Sequence, residues 1–120
     1  MKVIIAGTRT FNDYKLLEET LDDIIREEHI LDDITIISGT ANGADKLGEI
    51  YAHNKGYKVL RFRPDWDKYG KSAGYIRNTE MAEAGDILVA FWDGKSKGTE
   101  HMINIMKNKN KHGFIIKYDY

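Results

Sequence analysis

The sequence predicts an α/β fold of the Rossmann-like type, with three layers (α/β/α) and a mostly parallel five-stranded sheet. Short apolar segments alternate with amphipathic helical segments along the chain, and this alternation favours a parallel sheet with right-handed crossovers. Connections from helix to strand are short, whereas connections from strand to helix are long and polar. Open α/β sheets bind ligands where their strands end, so we expect the functional site at the carboxyl edge of the sheet.

The first half of the chain predicts three strands, from β-branched or apolar segments, and two helices, from apolar residues at helical spacing. Their order is strand 2–6, helix 12–28, strand 34–37, helix 43–55 and strand 57–62. Asn12 is the expected N-cap of the first helix, and Phe11 is placed to pack on Leu16 as a hydrophobic staple. The second helix ends before Gly56, a residue favoured at helix C-termini.

The second half opens with an irregular polar and aromatic segment, 63–72, which contains the only proline. The order that follows is helix 73–84, strand 86–91, loop 92–98, helix 99–109 and strand 113–118. Gly85 stops the first of these helices, and Met102, Ile103 and Met106 form the inward face of the second. With 120 residues and no linker or repeat, we expect a single domain over 1–120.

Composition restricts the kinds of function. Eighteen Lys and Arg against 19 Asp and Glu give a net charge of -1, which argues against a duplex-DNA binder. Without cysteine there is no disulfide, thiolate ligand or cysteine nucleophile, and the four histidines are scattered, so we expect no metal and no cofactor. No signal peptide or membrane-length apolar run is present, which predicts a cytoplasmic protein without a membrane partner. The sequence does not determine the oligomeric state, and a homo-oligomer is compatible with it.

The central motif is ITIISGTANGAD at Ile34–Asp45, a strand followed by a glycine-bearing turn and a helix. Gly39 and Gly43 allow a tight turn and the close approach of a ligand, and the helix start directs N–H groups at an anion. The G-x-x-x-G spacing matches neither the dinucleotide fingerprint nor the P-loop. An ordinary strand-to-helix turn explains this stretch about equally well.

The other loops at this edge combine cations, hydroxyls, carboxylates and aromatic rings, which suit the phosphate, ribose and base of a nucleotide. The expected ligand-binding residues are Gly7, Thr8, Arg9, Ser38, Gly39, Gly43, Asp45, Trp66, Asp67, Arg77, Asn78, Trp92, Asp93, Gly94, Ser96, Gly98 and Thr99. Arg77 is expected in the first turn of its helix. The plainer interpretation is that Trp66 and Trp92 only cover the sheet edge and that the loop lysines are solvated. Two GKS tripeptides lack the upstream glycine of a Walker A motif, which disfavours a P-loop NTPase.

Four segments together resemble one superfamily. They are GTR at 7–9, SGTANGAD at 38–45, Arg77-Asn78, and WDGKSKGT at 92–99, and they occur in the order typical of the SLOG superfamily, named for Smf/DprA and LOG proteins. Within it the chain is most similar to the small YspA-like bacterial and phage proteins, which share the DWDKYGK segment at 65–71. The resemblance implies a Rossmann-like fold and a site for nucleotides or nucleotide-derived ligands, with YspA-like members proposed to sense such ligands.

The better-known branches of this superfamily imply two alternatives. LOG enzymes cleave nucleoside monophosphates at the N-glycosidic bond, using an Arg that matches Arg77 and a Glu within G-T-x-x-E. Here the Glu position falls on Met102, so the resemblance leaves the catalytic residues unknown and disfavours an enzyme. DprA-like proteins bind single-stranded DNA, but the charge balance of this chain gives no sign of a basic groove, which makes nucleic acid a disfavoured partner.

These observations lead to one primary hypothesis. The chain binds a nucleotide or a nucleotide derivative, such as a mononucleotide or an ADP-ribose- or NAD-like molecule, as a sensor or binding module. The phosphates are expected against the 39–43 turn and the 94–99 loop. Arg77 and Arg9 are expected to pair with them, while Trp66, Asp67 or Trp92 contacts the base or the sugar.

Overall fold

The computed structural model describes residues 1–30 and 33–118, whose strands and helices alternate as the sequence predicts. The strands are β1 (Lys2–Gly7), β2 (Thr35–Ser38), β3 (Lys58–Arg61), β4 (Ile87–Trp92) and β5 (His112–Lys117). The helices are α1 (Tyr14–Glu27), α2 (Ala44–Lys55), the single-turn α3 (Trp66–Tyr69), α4 (Ala73–Ala84) and α5 (Lys97–Asn108), with a 3₁₀ turn at Gly70–Ser72.

The five strands form one sheet in the order β3-β2-β1-β4-β5, and every pairing is parallel. β1 lies in the middle, where Ile4 is in register with Ile37 of β2 and Leu88 of β4. The predicted fold class is therefore confirmed. Because all strands run the same way, their carboxyl ends and the loops that follow them meet at one edge.

Two hydrophobic clusters cover the two faces of the sheet and complete the three layers. On one face, buried residues of α1 and α2, such as Leu17 and Tyr51, pack against the strands. On the other face, α4 and α5 contribute Met81, Met102 and Met106. The inward orientation predicted for the methionines of α5 is confirmed, because both are 1% exposed.

Helix boundaries differ from the predicted ones where capping chemistry decides them. Asp13, not Asn12, caps α1, and its side chain accepts a hydrogen bond from the Leu16 N–H. Ser96 caps α5, so this helix begins two residues earlier than predicted. Gly56 ends α2 in the left-handed conformation (φ 76°), which confirms the predicted stop.

The ring of Phe11 anchors the first strand-to-helix loop to the sheet. Its centroid lies 4.9 Å from that of Phe91 in β4 and 4.9 Å from that of Tyr118. Aromatic pairs at such distances contribute about 0.5–1.5 kcal/mol each beyond the area they bury. This packing fixes the loop that carries Thr8 and Arg9. No helix within residues 1–30 and 33–118 has the length and apolarity needed to cross a membrane.

Candidate functional site

The first loop is held against the end of β4 by Gly7 and Thr8. The Thr8 N–H donates to the Phe91 carbonyl at 3.0 Å, and its hydroxyl accepts from the Asp93 N–H at 3.2 Å. A Cβ at Gly7 would overlap the Phe91 carbonyl, so glycine is required for this close approach. Thr8 is buried by these contacts, whereas the next residue, Arg9, is exposed above the sheet edge.

The Ser38 side chain stabilises the second strand-to-helix loop through two hydrogen bonds. Ser38 is fully buried; its hydroxyl donates to Glu49 Oε2 at 2.6 Å and accepts the Thr40 N–H at 3.1 Å. Thr40 adopts a left-handed conformation (φ 66°), which is uncommon for a β-branched residue. Glu49 also accepts from Arg61 Nε at 2.8 Å. Ser38 is thus a structural residue of the turn, and Glu49 is a partner that no sequence motif indicated.

Gly43 brings the start of α2 against the first loop. It has φ 77°, and a Cβ there would overlap the carbonyl groups of Thr8 and Arg9. No side chain caps α2, and the N–H groups of Asn42 and Gly43 have no hydrogen-bond partner within the part of the chain that the structure describes. The start of this helix therefore keeps donors and the positive end of the helix dipole available to an anion.

Asp45 and Arg77 meet beside Gly39 in the interior of the site. The Asp45 carboxylate accepts the Ala41 N–H at 3.2 Å and is buried. Burial raises the pKa of Asp45 to about 6, although the Ala41 hydrogen bond and the charge of Arg77 oppose this rise. The Arg77 guanidinium donates through Nη1 to the Gly39 carbonyl. Burial lowers the pKa of Arg77, but a guanidinium stays protonated in proteins, so it remains cationic here.

Asn78 holds the Arg77 side chain through a second hydrogen bond, at Nε. It accepts from Arg77 Nε at 3.0 Å, and its amide nitrogen donates to the Gly98 carbonyl at 3.2 Å. The same nitrogen lies 3.2 Å from His101 Nδ1. The prediction that Arg77 lies in the first turn of α4 is wrong. The helix begins at Ala73, so Arg77 is in the second turn, and hydrogen bonds rather than the helix dipole set its position.

A cleft of about 410 Å³ opens above these residues, and we call it the arginine cleft. It is lined by Arg9, Gly39, Thr40, Ala41, Asn42, Arg63, Pro64, Trp66 and Arg77. Its volume falls within the range of small-molecule sites, about 300–1,000 Å³. Three arginines line it, and none of its described lining residues is a carboxylate. Arg63 was not among the predicted site residues, because sequence analysis placed it in an irregular segment. It lies two residues beyond the end of β3 at Arg61, and this position at the carboxyl edge of the sheet could have identified it.

Trp66 forms the outer wall of the arginine cleft. The single turn α3 places it there, with Asp65 as N-cap accepting from the Lys68 N–H. A Cβ at Gly74 would lie 3.7 Å from Trp66 Cη2 and 3.9 Å from Arg77 Nη2, so the indole and the guanidinium flank the same open position. The Trp66 side chain is 51% exposed, which leaves much of it accessible.

A smaller cavity of about 80 Å³, the inner cleft, continues from the arginine cleft towards α5. The two share Arg9, Ala41 and Arg77. The inner cleft is also lined by the predicted site residues Gly7, Asp45, Asn78, Ser96, Gly98 and Thr99, with Met102 beside them. It is far smaller than a typical ligand site, so it suits only one small group of a ligand bound in the larger cleft.

The fourth loop is closed on itself by Asp93. One carboxylate oxygen of Asp93 accepts the N–H groups of Lys95 and Ser96, both at 2.8 Å, and these bonds lower its pKa. Trp92 donates from Nε1 to the Ser96 carbonyl at 3.1 Å, and Lys117 Nζ lies 5.3 Å from the centre of its ring. The sequence predicted phosphate against this loop, but these N–H groups are already used within it.

Seven predicted site residues line neither cleft in the described part of the chain: Thr8, Ser38, Gly43, Asp67, Trp92, Asp93 and Gly94. The first three hold the loops in place through the contacts described above. Asp67 lies exposed on α3, Trp92 ends β4, and the last two belong to the fourth loop. Residues 1–30 and 33–118 also bring together no group of three or more His, Asp or Glu side chains able to hold a metal ion.

Comparisons with known proteins agree with this architecture. A family profile described as "YspA, cpYpsA-related SLOG family" matches residues 1–69. The Gene 61 protein of Mycobacterium phage D29 is 34% identical over 122 residues, which cover 96% of this chain and 93% of that protein. The X-ray structure of DNA processing protein A (DprA) from Streptococcus pneumoniae aligns with 98% of this chain at a TM-score of 0.74 and 16% identity. This chain spans 50% of the DprA chain, and the likeness is one of fold.

Proposed function

The chain belongs to the YspA, cpYpsA-related SLOG family, and on this basis we propose that it binds a nucleotide or nucleotide-derived ligand at the carboxyl edge of its sheet. Its role in this proposal is that of a sensor or binding module. The observation that carries the proposal is the arginine cleft, in which Arg9, Arg63 and Arg77 converge beside Trp66.

The charge in this cleft supports an anionic ligand. The chain has a net charge of -1, yet Arg9 and Arg63 form no ion pair or hydrogen bond through their side chains within residues 1–30 and 33–118. Arg77 is half-buried and directed towards Gly39. Like charges held close together repel each other, and a phosphate group would relieve that repulsion through charge-assisted hydrogen bonds.

Each part of a nucleotide has a matching surface. Phosphate oxygens fit between Arg9 and Arg77, beside the N–H group of Asn42 at the start of α2. The base stacks on Trp66, whose ring is accessible; such stacking contributes about 1–3 kcal/mol per base. In this arrangement Trp66, rather than Trp92, is the aromatic contact, because the Trp92 ring is already engaged by Ser96 and Lys117.

Hydrolysis of an N-glycosidic bond has less support. Such a reaction develops positive charge on the sugar, and a carboxylate close to the anomeric carbon would stabilise it. Met102 occupies the position of that carboxylate and is buried in the inner cleft. Glu80 is exposed on α4, and Asp45, although it lines the inner cleft, is held by the Ala41 N–H and by Arg77. A binding role therefore suits these residues better than a catalytic one.

Thermal unfolding with a ligand panel tests the proposal. AMP, ADP, ADP-ribose, NAD and cyclic nucleotides are added at millimolar concentration, and at least one is expected to raise Tm. A ligand at about a hundred times its Kd adds roughly 2.7 kcal/mol to the free energy of unfolding, which raises Tm by several degrees in a domain of this size. No shift with any member of the panel would contradict the proposal.

Substitutions locate the binding site. Arg9→Ala is the cleanest variant, because Arg9 is exposed and its side chain forms no hydrogen bond or ion pair with the residues that the structure describes. We expect it to weaken binding about tenfold or more, since a charge-assisted hydrogen bond contributes roughly 1.5–3 kcal/mol. Lys97→Ala, an exposed cation on α5 outside the arginine cleft, is the matched control and should bind as the parent does.

A further inference from the structure

A third cleft lies on the other side of the turn that forms the arginine cleft. This outer cleft has a volume of about 230 Å³ and is lined by Thr40, Ala41, Asn42, Lys46, Glu49, Arg61 and Arg63. It shares the turn 40–42 and Arg63 with the arginine cleft. A ligand held in one cleft can therefore extend into the other by crossing a single loop.

The outer cleft also carries uncompensated positive charge. Its one carboxylate, Glu49, has both oxygens engaged, one by the Ser38 hydroxyl and the other by Arg61 Nε. Arg61 is thereby neutralised in part. Lys46 and Arg63 have no ion pair in the part of the chain described by the structure, and both are exposed.

The three connected clefts together form a basic surface on an otherwise balanced chain. Five cations line them, against the two carboxylates Asp45 and Glu49. Asp45 is buried beside Arg77, and Glu49 is engaged by Ser38 and Arg61, so neither carboxylate is paired with the exposed cations of these clefts. A ligand with a single phosphate would neutralise Arg9 and Arg77 but leave Lys46 unpaired.

We propose that the outer cleft is a second phosphate subsite and that the ligand is a nucleotide with a second phosphate group, not a simple monophosphate. This inference rests on the proposed function, since it assigns the first phosphate and the base to the arginine cleft. Lys46 and Arg63 hold the second phosphate, and Arg63 contacts both groups from its position between the clefts. The second group either extends the first phosphate, as in ADP, or lies elsewhere on the ribose, as in adenosine 3′,5′-bisphosphate.

Calorimetric titration of AMP, ADP and adenosine 3′,5′-bisphosphate into the full chain tests the inference. One of the two doubly phosphorylated nucleotides should bind about tenfold to a hundredfold more tightly than AMP, the gain typical of one charge-assisted contact. ADP and the bisphosphate differ in where the second group lies, so the tighter ligand identifies its position. The affinities for the three nucleotides are measured for the parent protein and for the variants Lys46→Ala, Lys46→Arg and Lys58→Ala.

Lys46→Ala should remove this preference while AMP affinity stays unchanged, and Lys46→Arg should retain the preference. Lys58→Ala removes an exposed lysine from the opposite end of β3 and should alter neither affinity. Lys46 is exposed, and a melting curve of each variant verifies that the fold is intact. Equal binding of all three nucleotides, or an equal loss of AMP and the preferred nucleotide in Lys46→Ala, would overturn the second subsite alone. Failure of all three to bind would also overturn the inference, whereas the wider ligand panel tests the proposed function separately.

Discussion

Arg77 and Asp45 reach from two different helices to the same point, the α-carbon of Gly39. A Cβ at Gly39 would lie 2.8 Å from Arg77 Nη1 and 2.8 Å from Asp45 Oδ2. Both side chains also hold the turn that Gly39 begins, because Arg77 donates to the Gly39 carbonyl and Asp45 accepts the Ala41 N–H. The absence of a side chain at Gly39 thus allows an arginine and a carboxylate to define the shape of the arginine cleft.

Gly39→Ala is therefore expected to disturb the site more than its small volume suggests. The added methyl group would displace Arg77, Asp45 or both, and we expect a loss of about 1–3 kcal/mol in the free energy of unfolding, together with weaker nucleotide binding. Gly98→Ala is the matched control, because a Cβ there meets nothing within 4 Å and alanine favours the helix. Chemical denaturation measures the free energy of unfolding of both variants, and titration with the ligand measures their nucleotide binding. Equal stability of Gly39→Ala and the parent would show that the turn relaxes freely around the new methyl group.

The buried carboxylate of Asp45 predicts a specific pH dependence of stability. Its pKa is about 6 in the folded chain and 3.8 as the reference value, so the folded state binds the proton more tightly. Because of this difference in proton binding, the contribution of Asp45 to the free energy of unfolding falls as pH rises from about 4 to about 6, by at most about 3 kcal/mol. Asp45→Asn should lack this fall, so the stability of the parent relative to this variant decreases over that interval.

Urea denaturation of the parent and of Asp45→Asn at pH 4, 5, 6 and 7 measures that difference. Asp23→Asn serves as a control, since Asp23 is an exposed carboxylate on α1 paired with Arg26. This variant controls for the removal of one carboxylate from the surface of the protein. A difference between parent and Asp45→Asn that stays constant from pH 4 to 7 would mean that Asp45 remains ionised in spite of its burial.

The two tryptophans predict separate fluorescence signals. Trp66 is exposed beside the arginine cleft, whereas Trp92 is half-buried and hydrogen-bonded to the Ser96 carbonyl. A base stacking on Trp66 should quench its emission, so Trp92→Phe should keep the ligand-induced change and Trp66→Phe should lose it. We also expect Trp66→Ala to weaken binding by about 1–3 kcal/mol. Quenching that persists in Trp66→Phe and disappears in Trp92→Phe would move the base to the fourth loop.

Nucleoside monophosphates are expected to remain intact in the presence of the protein. The reason is the thioether of Met102 at the position where LOG enzymes carry a glutamate. Chromatography of AMP incubated with micromolar protein should show no release of free adenine above the rate without protein. Release that is present in the parent and absent in Arg77→Ala would support a hydrolase instead.

Much of the fold follows from the sequence because its determinants are local. β-Branched runs such as Ile34–Ile37 and the glycine stop at Gly56 identify strands and helix ends without reference to the rest of the chain. Neighbouring candidates for a cap are harder to separate. Asn12 and Asp13 both have suitable side chains, and only the structure shows that Asp13 accepts the Leu16 N–H.

The site is less accessible to sequence analysis because its contacts join distant parts of the chain. Gly39, Arg77 and Asn78 form parts of motifs, so their proximity at the sheet edge could be anticipated. Arg63 and Glu49 belong to no motif, and only strand order and helix packing bring them to the turn. The closure of the fourth loop by Asp93 depends on its precise backbone path, which residue types alone do not give.

The position of β1 between β2 and β4 has a consequence for biosynthesis. Val3 pairs with Ile36 on one side and Ile87 on the other, so β1, which precedes the other strands of this sheet in the chain, is among the last to be fully paired. Until β4 and α5 have emerged, one edge of β1 lacks its strand partner, and the sheet face that α4 and α5 cover is incomplete. Pairings between residues so far apart in the chain form slowly, and strand edges left open favour aggregation. A ribosome stalled between Arg63 and the start of α4 would therefore hold an aggregation-prone nascent chain, with Arg9 and Arg63 already synthesised and Arg77 still missing from their cleft.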